Sequence, residues 1–313
     1  MMGEYIFGPV PSRRLGRSLG VDLVPFKTCP YDCVYCQLGR TPCTTTERKE
    51  WVPLEGVLAS LAPKLATKPD YITLSGSGEP TLYSRLDELI ARIKAITDVP
   101  VAVLTNGALF GDKELRRQLM EADLVVPSLD AGDEAMFRAI NRPHRSISFE
   151  AMLGGLIDFR AEFSGAYWLE VLVVGGYTSS PGELAKVAEC ARRIHPDRVQ
   201  LNTVTRPPAE ECVVGVSSRC LAELAMRFAP SAEVIADFRG AHGDAEFAAG
   251  RQEILEMLRR RPCSLEDIAV GLGMHRNEVI KHLEELRAGH LLDESVVAGK
   301  VYYHAKRVQG PLQ

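Results

Sequence analysis

Several features are scarce in this chain of 313 residues. No apolar run approaches the ~18 residues needed to cross a membrane. Residues 1–17 lack an apolar h-region, so export is not expected and a cytoplasmic protein is. Neither sign of charge is in excess: 37 Lys and Arg face 41 Asp and Glu, a net charge of −4. That balance excludes a global pull toward nucleic acid or an anionic membrane, so any such contact must be local. No internal repeat and no low-complexity tract is visible. Apolar residues make up 46% of the chain, which is ordinary and ample for a sizeable core. The length suggests about two domains.

Cysteine is present but unevenly placed. There are eight, and none precedes Cys29. Eight thiols in a chain without an export signal fit a reducing compartment, where thiolates stay free for metal. Three lie together in Cys29-Pro30-Tyr31-Asp32-Cys33-Val34-Tyr35-Cys36, at spacing C-x3-C-x2-C. Thiolates are soft ligands suited to iron–sulfur clusters. Three ligands on a four-iron cubane leave one iron without a protein ligand, and an open position is what a reactive metal needs. A zinc knuckle would show C-x2-C pairs and a fourth ligand nearby, but the next thiol, Cys43, is seven residues on. A disulfide framework belongs to small secreted domains. Three unrelated packing cysteines are the plain alternative. Cys43, Cys190, Cys212, Cys220 and Cys263 lack such pairing and read as free, packed thiols.

This spacing, with Tyr35 just before the last cysteine, resembles the signature of radical S-adenosylmethionine (SAM) enzymes. The resemblance implies a [4Fe-4S] cluster held by Cys29, Cys33 and Cys36, with SAM's methionine part chelating the open iron. It implies that an electron from the cluster breaks a C–S bond, giving methionine and a 5′-deoxyadenosyl radical that removes a hydrogen atom from the substrate. It also implies an electron donor such as flavodoxin or ferredoxin.

Around the loop, strand and helix patterns alternate. Residues 7–17 are rich in Gly, Pro and Arg and read as irregular. Within them Arg13, Arg14 and Arg17 suit a phosphate or carboxylate; a solvated arm is the alternative. Strands are predicted over 20–24, 71–74, 101–104, 124–128, 168–174 and 198–202. Helices are predicted over 54–65, 82–96, 113–120, 149–159 and 181–194. About six such units imply a parallel sheet with right-handed crossovers, an incomplete (β/α)6 barrel of α/β class. In barrels the chemistry sits at the C-terminal strand ends. The tail differs. Residues 241–249 read as a connector. Helices follow over 252–260, over 265–270 after a Ser264 cap, and over 275–286. Two short apolar runs flanking Ala298-Gly299 then read as a hairpin. Three helices and a hairpin resemble a winged helix, so the expected division is 1–240 and 241–313.

The predicted strand ends carry the remaining candidates. Gly78-Glu79-Pro80 follows the second strand. In radical SAM enzymes a similar Gly-Gly-Glu element binds SAM's ammonium, which implies that role for Glu79 and close backbone approach at Gly78. Ser77 stands where the first glycine often stands. The alternative is a strand-to-helix turn with Glu79 favoured by the helix dipole. Thr105-Asn106-Gly107 and Ser128-Leu129-Asp130 place Asn106, Ser128 and Asp130 at the rim, where a ribose or carboxylate would lie; ordinary turn roles are the alternative. Gly175-Gly176 and Tyr35 are candidates for the adenine. Asn141-Arg142-Pro143-His144-Arg145 and Thr205-Arg206-Pro207-Pro208 set a guanidinium on a rigid loop, which suits an anionic substrate group.

Over residues 7–240 these motifs resemble the radical SAM proteins related to the wyosine-tRNA synthases, which build a tricyclic base on a methylated guanosine of tRNA. Those enzymes carry further cysteines upstream of the SAM cluster, and this chain has none. The match is closer to a compact branch with a C-terminal winged helix. Residues 241–313 hold ten Lys and Arg against eleven Asp and Glu, whereas a duplex-binding module is usually basic. The leading expectation is modification of a macromolecule, tRNA first. A peptide or protein substrate held by the winged helix comes second, and an iron–sulfur redox-sensing regulator third.

Overall fold

The computed structural model describes residues 5–12, 14–236, 250–272, 274, 276–297 and 299–306. Eight strands form one sheet in sequence order. They are β1 (Ile6–Ser12), β2 (Gly16–Val21), β3 (Tyr71–Leu74), β4 (Val101–Thr105), β5 (Leu124–Pro127), β6 (Ala166–Val173), β7 (Arg198–Thr203) and β8 (Glu233–Val234). β1 runs antiparallel to β2, and every later pair is parallel. Helices α1 (Leu54–Leu61), α2 (Leu86–Ile96), α3 (Lys113–Gln118), α4 (Glu134–Ile140), α5 (Phe149–Glu162), α6 (Pro181–Ile194) and α7 (Ser218–Ala225) fill the crossovers. Side-chain caps start most of them. Asp112, Asp133, Ser148, Ser180 and Ser217 each accept from a first-turn backbone N–H, which satisfies an orphan donor of the helix end.

Period-two burial along β6 shows how the sheet works. Tyr167, Leu169, Val171 and Val173 are fully buried toward the helices, while Ala166, Trp168, Glu170 and Leu172 are only half-buried on the other face. The main core lies between sheet and helices, with Phe110, Phe159, Phe163 and Tyr167 meeting ring to ring. On the opposite face a small apolar plug of Leu15, Ala102, Leu124 and Val126 leaves room for polar residues nearby.

Five of the six expected strands are present; the one expected over 20–24 lies earlier, as Gly16–Val21, and the sheet has two more among the described residues. The segment read as irregular is instead a hairpin, β1 and β2. Pro9 and Pro11 hid it, yet β1 pairs only with β2, and proline is tolerated on an edge strand. β8 is two residues long, too short to leave a sequence pattern.

The tail forms α8 (Arg251–Arg260), α9 (Leu265–Leu272) and α10 (Arg276–Ala288), then a two-stranded antiparallel ribbon, β9 (Leu292–Val297) and β10 (Lys300–Ala305). The boundary expected near 240 and the connector over 241–249 lie outside the described residues, as do Arg13, His275 and Ala298. The apolar core of this C-terminal module is built from Ile254, Leu258, Ile268 and Leu283, and it also takes in Val10, with Phe7 against it. The module is therefore packed on the outer face of β1.

Phe159 is fully buried, with ring centroids 4.6 Å from Phe110 and 4.9 Å from Phe163. Phe159→Ala should lower stability by about 3–5 kcal/mol, because a cavity is left among rings that cannot collapse. Urea unfolding would show this as a lower midpoint with an unchanged slope.

Candidate functional site

The cysteine loop lies between β2 and α1 and is clamped by the segment after α4. Asp32 N–H donates to Asn141 O (3.1 Å), Val34 N–H to Ile140 O (2.9 Å), and His144 N–H to Pro30 O (2.7 Å). Tyr31 stacks edge-on against Phe137 at 5.4 Å. The loop is thus fixed by backbone bonds that any sequence could make, which frees its side chains for chemistry.

All eight cysteines are free thiols. Cys29, Cys33 and Cys36 are partly buried, and a nitrogen donor meets each sulfur. Asn106 Nδ2 lies 3.5 Å from Cys29 Sγ, Asn141 Nδ2 lies 3.5 Å from Cys33 Sγ, and Lys27 Nζ lies 3.2 Å from Cys36 Sγ. Burial pushes the Cys29 thiol well up, and the nearby Glu79 adds to this. Burial pushes Cys33 up to about 12, with Cys36 as the next cause. Free Cys29 and Cys33 are therefore neutral, and their thiolates need a cationic partner. Among the described residues no three His, Cys, Asp or Glu groups gather closely enough for a single ion; thiolates shared among the irons of a cluster stand farther apart. Three thiols, each with a nitrogen donor, fit a negatively charged iron–sulfur cluster, whose sulfurs accept such bonds.

Glu79 sits at the end of β3 and is buried. Its Oε1 accepts from Thr81 N (3.0 Å), Thr81 Oγ1 (2.6 Å) and Thr105 Oγ1 (2.6 Å), and its Oε2 from Asn106 N (2.8 Å). Burial raises its carboxyl above the usual range, and the bonds from Asn106, Thr105 and Thr81 offset that only in part. Two of the four donors are backbone N–H groups that cannot accept, which favours the carboxylate. The side chain also caps the short 3-10 turn Pro80–Leu82.

The structure gives Gly78 a steric reason of its own. A Cβ there would stand 2.1 Å from Thr28 O, so the close approach is to the chain entering the cysteine loop. Gly175 likewise packs on the chain itself, with its N–H donating to Val214 O at 2.9 Å. Asn106 bridges Glu79 and Cys29 through its backbone N–H and side chain. Ser128 is half-buried, its N–H donating to Thr105 O at 3.0 Å. Asp130 is buried and accepts from the Tyr35 hydroxyl, Asn141 Nδ2 (3.0 Å) and Leu172 N (3.0 Å). It ties the cysteine loop to α4 and β6 rather than presenting a bare carboxylate.

Of the two Arg-Pro loops, only one reaches the cavity. Arg142 is held by Glu210 at 2.5 Å, and its segment braces the cysteine loop. Arg206 bonds Gln37 Oε1 at 3.0 Å and lines a cavity of about 420 Å3. Tyr35, Cys36, Glu170 and Asn202 line it from the sheet side, and Arg260 and Arg261 from the C-terminal module. Arg14 reaches Glu170 at 2.7 Å on the same wall. Lys27 and the contact of the Asn141 amide with Cys33 escaped the sequence reading; Lys27 stands two residues before Cys29, the one local signal.

A family model described as the Radical SAM superfamily matches residues 23–191. A Brachyspira hyodysenteriae protein named GTPase Obg is 38% identical over 305 residues, covering 96% of this chain and 45% of that protein. A UPF0026 protein of Methanocaldococcus jannaschii is 38% identical, covering 66% of this chain and 65% of its own length. A UPF0026 protein of Helicobacter pylori strain J99 is 33% identical over 286 residues, covering 90% and 91%. The chain thus spans about half of the first relative and just under two thirds of the second. Two solved structures share the fold. A radical SAM methyltransferase from Sphaerobacter thermophilus has a TM-score of 0.54 at 16% identity, covering 71% of this chain and 67% of that one. The hydrogenase maturase HydG from Carboxydothermus hydrogenoformans has a TM-score of 0.50 at 16% identity, covering 82% and 58%.

The raised Cys33 thiol has a pH consequence. Its folded value lies above its unfolded one, so the neutral thiol stabilises the cluster-free fold below about pH 9, and that contribution is lost as pH rises toward about 12. Serine does not titrate in this range. Anaerobic urea unfolding of cluster-free protein should therefore show wild type losing stability relative to Cys33→Ser from about pH 8 to about pH 10.5. A difference that stays flat with pH would contradict the burial assigned to this thiol.

Proposed function

The chain belongs to the radical SAM superfamily, and on that premise we propose how its residues divide the work. It is a radical SAM iron–sulfur enzyme whose cofactors are a [4Fe-4S] cluster and S-adenosylmethionine. Cys29, Cys33 and Cys36 would hold the cluster and leave one iron for SAM. When bound, the cluster supplies the electron that splits SAM into methionine and a 5′-deoxyadenosyl radical able to take a hydrogen atom from substrate.

The protein's own residues position and shield. Oε2 of Glu79 takes one donor where Oε1 takes three, so its second lone pair is the acceptor for SAM's ammonium. Asn106 holds Glu79 and the Cys29 sulfur at a fixed separation. Tyr35 is the adenine-side aromatic, oriented by Asp130, with Gly78 shaping the turn and Ser128 on the rim. The reacting part of the substrate enters the cavity beside Tyr35 and Cys36, and this adjacency is the observation that carries the reading. At about 420 Å3 the cavity falls within the roughly 300–1,000 Å3 of small-ligand sites. It suits one base or one side chain presented by a macromolecule.

The motif resemblance puts tRNA first among substrates, and the arginine-lined wall supports an anionic one. A peptide or protein is the second reading, favoured by the near-neutral charge of residues 241–313. We read those residues as a winged-helix module beside a barrel over 1–240. The reductant is an electron donor of the flavodoxin or ferredoxin type.

Anaerobic reconstitution with iron and sulfide, then dithionite, should yield 5′-deoxyadenosine from SAM. The triple variant Cys29→Ala, Cys33→Ala, Cys36→Ala should abolish it, and Glu79→Ala should weaken SAM binding at least tenfold while iron is retained. Adding bulk tRNA should give a mass-shifted nucleoside. A cluster that forms yet never cleaves SAM, with or without tRNA, would sink the assignment.

A further inference from the structure

The C-terminal module reaches the residue that holds the SAM-binding turn, Asp22, through Arg260. Arg260, at the end of α8, donates from Nη1 to Asp22 Oδ2 at 2.8 Å. Asp22 follows β2 and accepts twice from Ser77: Oδ1 from the backbone N–H at 3.0 Å and Oδ2 from the hydroxyl at 2.5 Å. Ser77 immediately precedes Gly78 and Glu79. Gly76 closes the same corner, since a Cβ there would stand 2.7 Å from the Asp22 carboxyl. The pair is sheltered, with side-chain exposures of 14% for Arg260 and 11% for Asp22. Shelter removes most solvent screening, and loss of either partner leaves a charge in a poor solvent.

The approach path of Arg260 is also built. Phe7 on β1 pairs in register with Gly20 on β2, and a Cβ at Gly20 would stand 2.1 Å from the Phe7 ring. Glycine lets that ring lie flat across β2. The Arg260 guanidinium stacks over it at 4.4 Å, a cation–π contact that fixes its plane. A second tie anchors the far side of the module, where the Tyr302 hydroxyl donates to Thr205 O at 2.5 Å, next to Arg206 in the cavity wall.

We propose that Arg260 is a positioning residue for the SAM-binding turn, acting through Asp22 and Ser77, so that the docked C-terminal module is part of the active site rather than an appended reader. This inference rests on the reading that the turn carrying Gly78 and Glu79 binds SAM. Asp22 alone could hold Ser77, but its sheltered carboxylate would then lose the guanidinium that meets its charge. The stacked guanidinium neutralises it and fixes its direction. SAM affinity thereby depends on a residue 238 positions away from the aspartate it grips.

The test uses full-length Arg260→Ala, Arg260→Lys, Asp22→Asn and the double variant Arg260→Ala with Asp22→Asn. SAM dissociation constants would be measured by equilibrium dialysis on reconstituted protein. Hydrogen exchange over residues 75–82 would be measured without cluster or SAM. Arg260→Ala should weaken SAM about tenfold at unchanged iron content, and exchange over 75–82 should rise several-fold while β4 to β6 stay protected. Arg260→Lys should recover part of both. The double variant should be no worse than the worse single one, since both act on one linkage. Wild-type protection over 75–82 in Arg260→Ala would overturn the proposal. So would additive losses in the double variant. Glu79→Ala separates the two levels. If it keeps full SAM affinity, the turn is not the SAM site and the proposal falls with that reading. If it loses affinity while Arg260→Ala does not, only the linkage fails.

Discussion

A buried carboxylate surrounded by donors is the constraint on which this site depends. Glu79 collects bonds from its own turn and from the end of β4, at Thr105 and Asn106. Removing a carboxylate from water is costly unless its oxygens are met by donors. Meeting them forces the ends of β3 and β4 to one separation and one register. Asn106, so placed, has its side-chain amide directed at Cys29. Asp130 repeats the device one strand further on, joining β6, the end of α4 and Tyr35. Two inward-facing acids thus brace three cysteines that could not fix their own spacing.

The same economy explains the nitrogen donors around the sulfurs. A cluster held by these three thiolates would concentrate negative charge in a half-buried loop. Lys27 and two side-chain amides would offset that charge without closing the side that faces the cavity. Hydrogen bonds to cluster sulfurs are one of the levers a protein has over reduction potential. The arrangement is therefore electrostatic as well as mechanical.

What the sequence disclosed follows from how local each signal is. The cysteine spacing sits within eight residues and was legible at once. The strands from Tyr71 to Thr203 are buried apolar runs with strong contrast to their loops, so they too were legible. β1 was not, because its prolines and glycines resemble a loop until an edge position and a flat Phe7 ring give them a use. The glycine at 78 was visible, but its reason, the carbonyl of Thr28, lies across a fold that spacing cannot reveal. The contact of Asn141 with Cys33 was not legible, since only the clamp between α4 and the cysteine loop turns its amide toward that sulfur. Arg260 carried no signal, because nothing in a short amphipathic helix tells which of three consecutive arginines meets an acid near the other end of the chain.

The packing of the module on β1 bears on the order in which this protein can be made. Val10 belongs to the apolar core that Ile254, Leu258 and Leu283 complete. During synthesis at about 5–20 residues per second, the first strand leaves the ribosome some tens of seconds before the helices that cover it. In that interval the parallel part of the sheet can form behind it, while Phe7 and Val10 lack the cover the C-terminal module supplies. An edge strand with an uncovered apolar face invites pairing with other chains. The two prolines of β1 carry no backbone donor, which makes the strand a poorer template for such pairing.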